Sequence, residues 1–218
     1  MFSSHVFADF AAGLVAYFKG DYATAAKEFK AAAEQGDAYA QNNLADMYAQ
    51  GQGVTQDYKE AVKWYRLAAE RGVAKAQYNL GAMYKDGQGV TQDYKEAVKW
   101  YRLAAEQGYV FAQFNLGYAY QRGLGITPDY KKAESWYLLA AEQGDARAQQ
   151  NLGLMYALGG KGVIENFVLA YMWLNIVSKG EKVKEAINIL ESVMTLKQIT
   201  KAKELSVECI KKNYKNCG

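Results

Sequence analysis

Apolar and polar positions along the chain follow two helical rhythms that alternate. With Ala40 at zero and 100° per residue, Leu44, Met47, Tyr48 and Gly51 fall within about 80° on either side, so one face of this segment is apolar. Asp57 to Glu70 does the same with Ala61, Trp64, Tyr65 and Ala68. Between the two lies Gly51-Gln52-Gly53-Val54, whose glycines accept the left-handed backbone that ends a helix. Asp57 then reads as an N-cap, with Glu60 completing a capping box that recurs as Asp93 and Glu96; at Asp129 the partner position holds Lys132, so that box is incomplete. Pro128 precedes its helix and leaves the interior undisturbed.

The helix pair repeats. Glycines stand at 36, 72, 108, 144 and 180, and Leu44, Leu80, Leu116 and Leu152 keep the phase, as do Tyr48, Tyr84, Tyr120 and Tyr156. Residues 37–72 and 73–108 are identical at 28 of 36 positions, the mark of a recent duplication. The fourth unit has one residue inserted near Gly160, which moves Trp173 out of phase with Trp64, Trp100 and Trp136, and one lost before Gly180. A single helical pair has too little neighbouring surface to bury its apolar face, whereas stacked pairs bury it against one another. The expected fold is therefore all-α: a right-handed solenoid of stacked antiparallel helix pairs, about twelve helices in all. Residues 1–36 form an N-terminal capping unit, 37–180 four full repeats and 181–218 capping helices with a tail. In that last segment Val183, Ala186, Ile187, Leu190 and Val193 share a helix face, and Thr195 with Gln198 forms a capping box opening a helix to about Lys212.

Residues 76 to 108 carry Ala-Gln-x-Asn-Leu-Gly-x-Met-Tyr, Gly-x-Gly-Val, Asp-Tyr-x-x-Ala-x-x-Trp-Tyr and Ala-Ala-Glu-Gln-Gly. This string resembles the Sel-one-like repeat of the tetratricopeptide superfamily, over roughly residues 8 to 180. Residues 8 to 36 resemble a shorter tetratricopeptide-like unit. The resemblance implies a scaffold that binds protein or peptide, has no catalysis or cofactor of its own, and works in assembly, trafficking or envelope processes. It also places the first helix of each repeat on the concave side.

Composition narrows the chemistry. The 26 Lys plus Arg against 23 Asp plus Glu leave +3, too little to argue for nucleic acid, and no apolar run approaches the ~18 residues of a membrane span. The single histidine, His5, has no second member for a triad or a zinc site. The Gly-x-Gly-Val loops lack both a following Lys-Ser/Thr and a preceding strand, so they read as turns and not phosphate cradles. Lysines 201, 203, 211, 212 and 215 read as the solvated face of a closing helix. Some cysteine-rich secreted relatives are linked to β-lactam binding, but no Ser-x-x-Lys occurs. A β-lactam or cell-wall ligand protein, and a self-assembling structural element, stand as alternatives to the scaffold, for which a monomer is expected.

Positions that vary between repeats on an exposed helix face are free to serve a ligand. On the first helices this stripe holds Tyr39, Asn42 and Asp46; Lys75, Tyr78, Ala82 and Lys85; Phe111, Phe114 and Tyr118; Arg147, Gln150, Leu154 and Leu158. Tyr78, Phe111, Phe114 and Tyr118 are the expected groove floor, while the C-terminal helices are expected to cover Leu154 and Leu158. Asn43, Asn79, Asn115 and Asn151 recur at the border between stripe and core, where an amide serves either a bound peptide's backbone or the backbone of the next hairpin. Tyr39, Lys75 and Arg147 join them as candidate partner contacts.

Cys209 and Cys217 would lie roughly 12 Å apart on a continuous helix, so a disulfide requires the chain to turn back after about Lys212, which Asn213, Asn216 and Gly218 permit. Two thiols alone make a poor metal site. A tail of this kind resembles the ends of many bacterial members of the family. The disulfide, together with a chain that begins only a few residues before its first helix, leads to the expectation of a periplasmic or secreted protein, with a cytoplasmic one as the alternative.

Overall fold

The computed structural model describes residues 4–159, 162–177 and 180–217. The insertion near Gly160 and the terminal Gly218 lie outside them. Among the described residues twelve helices run in chain order: α1 (Ser4–Phe18), α2 (Tyr22–Glu34), α3 (Ala38–Gln50), α4 (Tyr58–Glu70), α5 (Ala74–Asp86), α6 (Tyr94–Glu106), α7 (Val110–Arg122), α8 (Tyr130–Ala141), α9 (Ala146–Leu158), α10 (Phe167–Val177), α11 (Glu181–Val193) and α12 (Leu196–Lys211). The chain divides into two compact units, residues 1–109 and 110–218.

In the first unit each helix packs on the next, α1 on α2 through α5 on α6, as stacked helical pairs. Small residues set the spacing. Ala25, Ala32, Ala40, Ala61, Ala68 and Ala76 are wholly buried and let backbones approach, while Phe29, Leu44, Trp64 and Tyr65 fill the layer between them. The second unit repeats this with Ala112, Ala133, Ala140 and Ala148 against Leu116, Tyr137 and Leu152. There α10 packs on α9, α11 and α12, and Trp173 is fully enclosed despite its shift in phase. The fold is an all-α solenoid of antiparallel helix pairs.

The two glycines of each Gly-x-Gly loop have different reasons. Gly51 and Gly87 are left-handed C-caps, at φ 70° and 69°. Gly53 and Gly89 sit where a neighbouring backbone passes: a Cβ on Gly89 would lie 2.2 Å from the Tyr58 carbonyl oxygen, and one on Gly53 would lie 2.1 Å from that of Tyr22. The second glycine therefore records the stacking of one repeat on the preceding one.

Asp57 caps α4 by accepting from the amides of Lys59 and Glu60, and Asp93 caps α6 in the same way. The expected capping boxes do not close there. Glu60 turns forward to Lys63 and Glu96 to Lys99, ion pairs one turn along an exposed face. At Thr195 the box is complete, with Gln198 returning to the cap.

At the end of the chain, α12 stops at Lys211, and Asn213, Tyr214 and Asn216 all take positive φ. This reversal brings Cys209 and Cys217 to a Cα separation of 5.3 Å, joined by a disulfide. The tail lies on the α8–α9 turn, where Tyr214 covers Gly144 and the Asn216 amide donates to Glu142 at 2.9 Å.

Candidate functional site

In the first unit the candidate residues on α3 and α5 meet in a polar cluster. The Tyr65 hydroxyl, rising from α4, donates to Asp46 at 2.5 Å. Lys75 donates to the same carboxylate at 2.7 Å and Asn79 at 3.1 Å. Asn79 also donates to the Tyr65 hydroxyl. Burial first, and then the Asp46 charge, raise the Tyr65 hydroxyl far above the ordinary tyrosine range, so it stays a donor. Asp46 is thus fully partnered, and Lys75 and Asn79 are held to the fold. Asn42, expected in the exposed stripe, is instead buried and donates to Asn43 and Asp46, because the acid beside it on the helix gives its amide a partner inside. Asn43 borders a small cavity of about 110 Å³. Tyr39 is 65% exposed. Tyr78 is half-buried, its ring centroid 5.8 Å from Tyr101 and 5.3 Å from Tyr109.

In the second unit α7 and α9 carry the aromatic patch. Phe111 is 44% exposed and Tyr118 39%. Phe114 lies between them but turns inward, with its ring 5.7 Å from Tyr137 and stacked on Tyr118 at 6.4 Å. The Arg147 guanidinium covers it at 4.2 Å from the centroid and reaches Phe111 at 5.5 Å. Asp145 holds Arg147 there, accepting at 2.6 Å while it caps α9. Asn115 is half-buried on α7.

The Asn151 side chain donates to the Tyr137 hydroxyl, and that hydroxyl donates to Gln121 Oε1 at 2.9 Å. Burial is the chief cause that holds the Tyr137 hydroxyl above its usual range. Asn79 and Asn151 therefore bond the tyrosine side chain of the preceding second helix, a partner that neither sequence reading of the asparagine ladder named.

Next to Tyr118 the second unit holds a cavity of about 620 Å³, walled by Tyr118, Gln121, Arg122, Tyr130, Asn151, Leu154, Met155, Leu158, Gly159 and Val163. Leu158 is 80% exposed at its rim, so the C-terminal helices do not cover it. Leu154 faces both this cavity and a second, of about 340 Å³, against Val183, Ala186 and Ile189 of α11. Sequence reasoning missed Gln121, Arg122 and Tyr130. Arg122 lies one helical turn beyond Tyr118, so extending the stripe by a turn reaches it, whereas Tyr130 arrives from another helix.

The repeats themselves decide the family. The Sel1 repeat family model matches residues 38–73, 74–109, 110–145 and 146–176. The chain belongs to the Sel1 repeat family. Among solved structures, this Sel1 repeat protein is similar to a protective antigen of uropathogenic Escherichia coli strains displaying an SLR fold: 33% identity, 97% of this chain and 47% of that one, TM-score 0.82. It is also similar to a Sel1 repeat protein from Oxalobacter formigenes, at 38% identity over 78% of this chain and 67% of that one, TM-score 0.73. A third, a Sel1 repeat protein from Klebsiella pneumoniae, shares 25% identity over 85% and 93% of the two chains, TM-score 0.53. The chain spans about half the length of the Escherichia coli antigen. No curated protein matches it. Among the described residues, no helix is long and apolar enough to cross a membrane.

Proposed function

We propose that this Sel1 repeat protein is a non-catalytic scaffold that binds a peptide or a segment of a partner protein on the face of its first helices, chiefly α7 and α9. The observation that supports this most is that exposed Tyr118 and Leu158 wall a cavity of about 620 Å³, with exposed Phe111 about two turns before Tyr118 on α7. Large apolar groups held on rigid helices at the mouth of a cavity are what a binding face uses for anchors. The two central tyrosines, Tyr65 and Tyr137, are pushed up by burial and stay protonated, which suits them to hold the scaffold and not to take protons from a substrate.

The test is affinity capture from extracts of the source organism with the wild-type protein and a Phe111→Ala/Tyr118→Ala variant in parallel. A partner recovered by the first and lost with the second supports the reading. Equal recovery by both, with the variant folded, would overturn it.

The Cys209–Cys217 disulfide supports a second part of the proposal, that the protein works in an oxidising compartment, the periplasm or outside the cell. Mass spectrometry of protein from its native source reads this directly. A mass two hydrogens below that of the reduced chain is expected, and two free thiols would return the protein to the cytoplasm.

A further inference from the structure

The cavity of the second unit presents more than an apolar hollow. Gln121 uses its side-chain oxygen to accept from Tyr137, so its amide nitrogen remains to donate; Asn151 uses its nitrogen on Tyr137, so its oxygen remains to accept. One wall thus offers a donor and an acceptor held in place by a single buried phenol, which matches the carbonyl and N–H of a peptide backbone. Leu154 and Leu158 supply the apolar side. Among the described residues that wall the cavity, one is charged, Arg122, and none is a carboxylate. Its guanidinium rests 5.7 Å from the centroid of the Tyr118 ring, and among the described residues no acid lies within ion-pair distance. Elsewhere cations on these first helices are neutralised, Lys75 by Asp46 and Arg147 by Asp145.

We infer that the cavity binds an extended peptide segment in which a bulky apolar side chain is followed within one or two residues by Asp or Glu. The apolar side chain lies against Leu154 and Leu158, the backbone meets Gln121 and Asn151, and the acid pairs with Arg122, whose planar fork is suited to a carboxylate. This rests on the scaffold reading and gives it a ligand class.

The experiment is selection of a random dodecapeptide display library on the full-length protein, followed by fluorescence anisotropy with the enriched peptides on wild type, Arg122→Gln, Leu158→Asp and Lys63→Gln. Arg122 and Leu158 are exposed, so the folds of these variants should stand, which circular dichroism checks. Enriched peptides are expected to carry the apolar–acidic pair. Their affinity should fall about tenfold in Arg122→Gln and in Leu158→Asp, and stay unchanged in Lys63→Gln, which removes a positive charge from the other unit. Peptides that lack the acid, or that bind both cavity variants as tightly as wild type, would overturn this inference while leaving a binding scaffold in place. A selection that enriches nothing overturns it too, and joined to an unchanged capture profile takes the scaffold reading with it.

Discussion

Gln107 donates its side-chain amide to Oε1 of Gln77 at 2.8 Å, and Gln77 in turn donates to the Ala69 carbonyl at 3.1 Å. The second of these bonds adds a side-chain donor to the Ala69 carbonyl at the end of α4, which already accepts from the Gly72 amide, and the first satisfies the amide oxygen that its burial would otherwise strand. In the second unit Gln143 serves Gln113 in the same way at 2.7 Å. The first repeat breaks the series. There Arg71 stands where Gln107 would, donates to the Gly36 carbonyl instead, and leaves the buried Gln41 Oε1 without a partner among the described residues.

Replacing Arg71 with Gln should therefore stabilise the protein, by about 1 kcal/mol, since it pairs a buried acceptor at the loss of an exposed bond. Urea unfolding of the two proteins measures this. A variant no more stable than wild type would mean that solvent already serves Gln41.

The two glycines of one loop should differ sharply on substitution. Gly87→Ala meets the strain of a left-handed alanine and a tight approach of 3.3 Å to the Gln92 Cβ, but no backbone collision, about 1 to 2 kcal/mol in all. Gly89→Ala adds a collision with the Tyr58 carbonyl and should cost about 3 to 5 kcal/mol in total, because backbone has to move to relieve it. Equal thermal shifts for the pair would contradict the close approach.

The phenol of Tyr65 gives stability an alkaline limit. Its hydroxyl titrates near pH 10 in the unfolded chain and well above that in the folded one, so its contribution is fully present below about pH 10 and is lost as pH rises further, at about 1.4 kcal/mol per pH unit. Tyr65→Phe should lower stability at pH 8 by about 1 kcal/mol, with Lys75 and Asn79 still holding Asp46, and should flatten the fall between pH 10 and 11. Urea midpoints across that range for both proteins are the measurement. Parallel curves would place the titration elsewhere.

Neighbouring phenylalanines of α7 should separate binding from folding. Phe111→Ala removes a ring open to solvent, and it should weaken partner binding by about 1 to 3 kcal/mol with stability changed by less than about 1 kcal/mol. Phe114→Ala opens a gap between Tyr118, Tyr137 and Arg147, and should cost about 2 to 3 kcal/mol of stability. Calorimetry of each variant, alone and with a captured partner, gives both numbers.

What the chain by itself determined is the part governed by local period. The 36-residue repeat, the helix pairs, the glycine C-caps and the Asp57 and Asp93 caps all follow from which residues lie three and four apart and which accept positive φ. The family string is legible for the same reason, since its recurring residues are the ones stacking requires. What tertiary structure decided is where a polar or aromatic side chain finds its partner. Asn42 and Phe114 sit on the exposed side of a helical wheel, yet Asp46 draws one inward and Tyr137 with Arg147 encloses the other. Glu60 has the spacing of a capping box and pairs with Lys63. The cavity beside Tyr118 joins α7, α8, α9 and the loop that follows, and no single helix period encodes such a meeting. A wheel describes one helix in isolation, and the side chains that neighbouring helices bring to it lie beyond its reach.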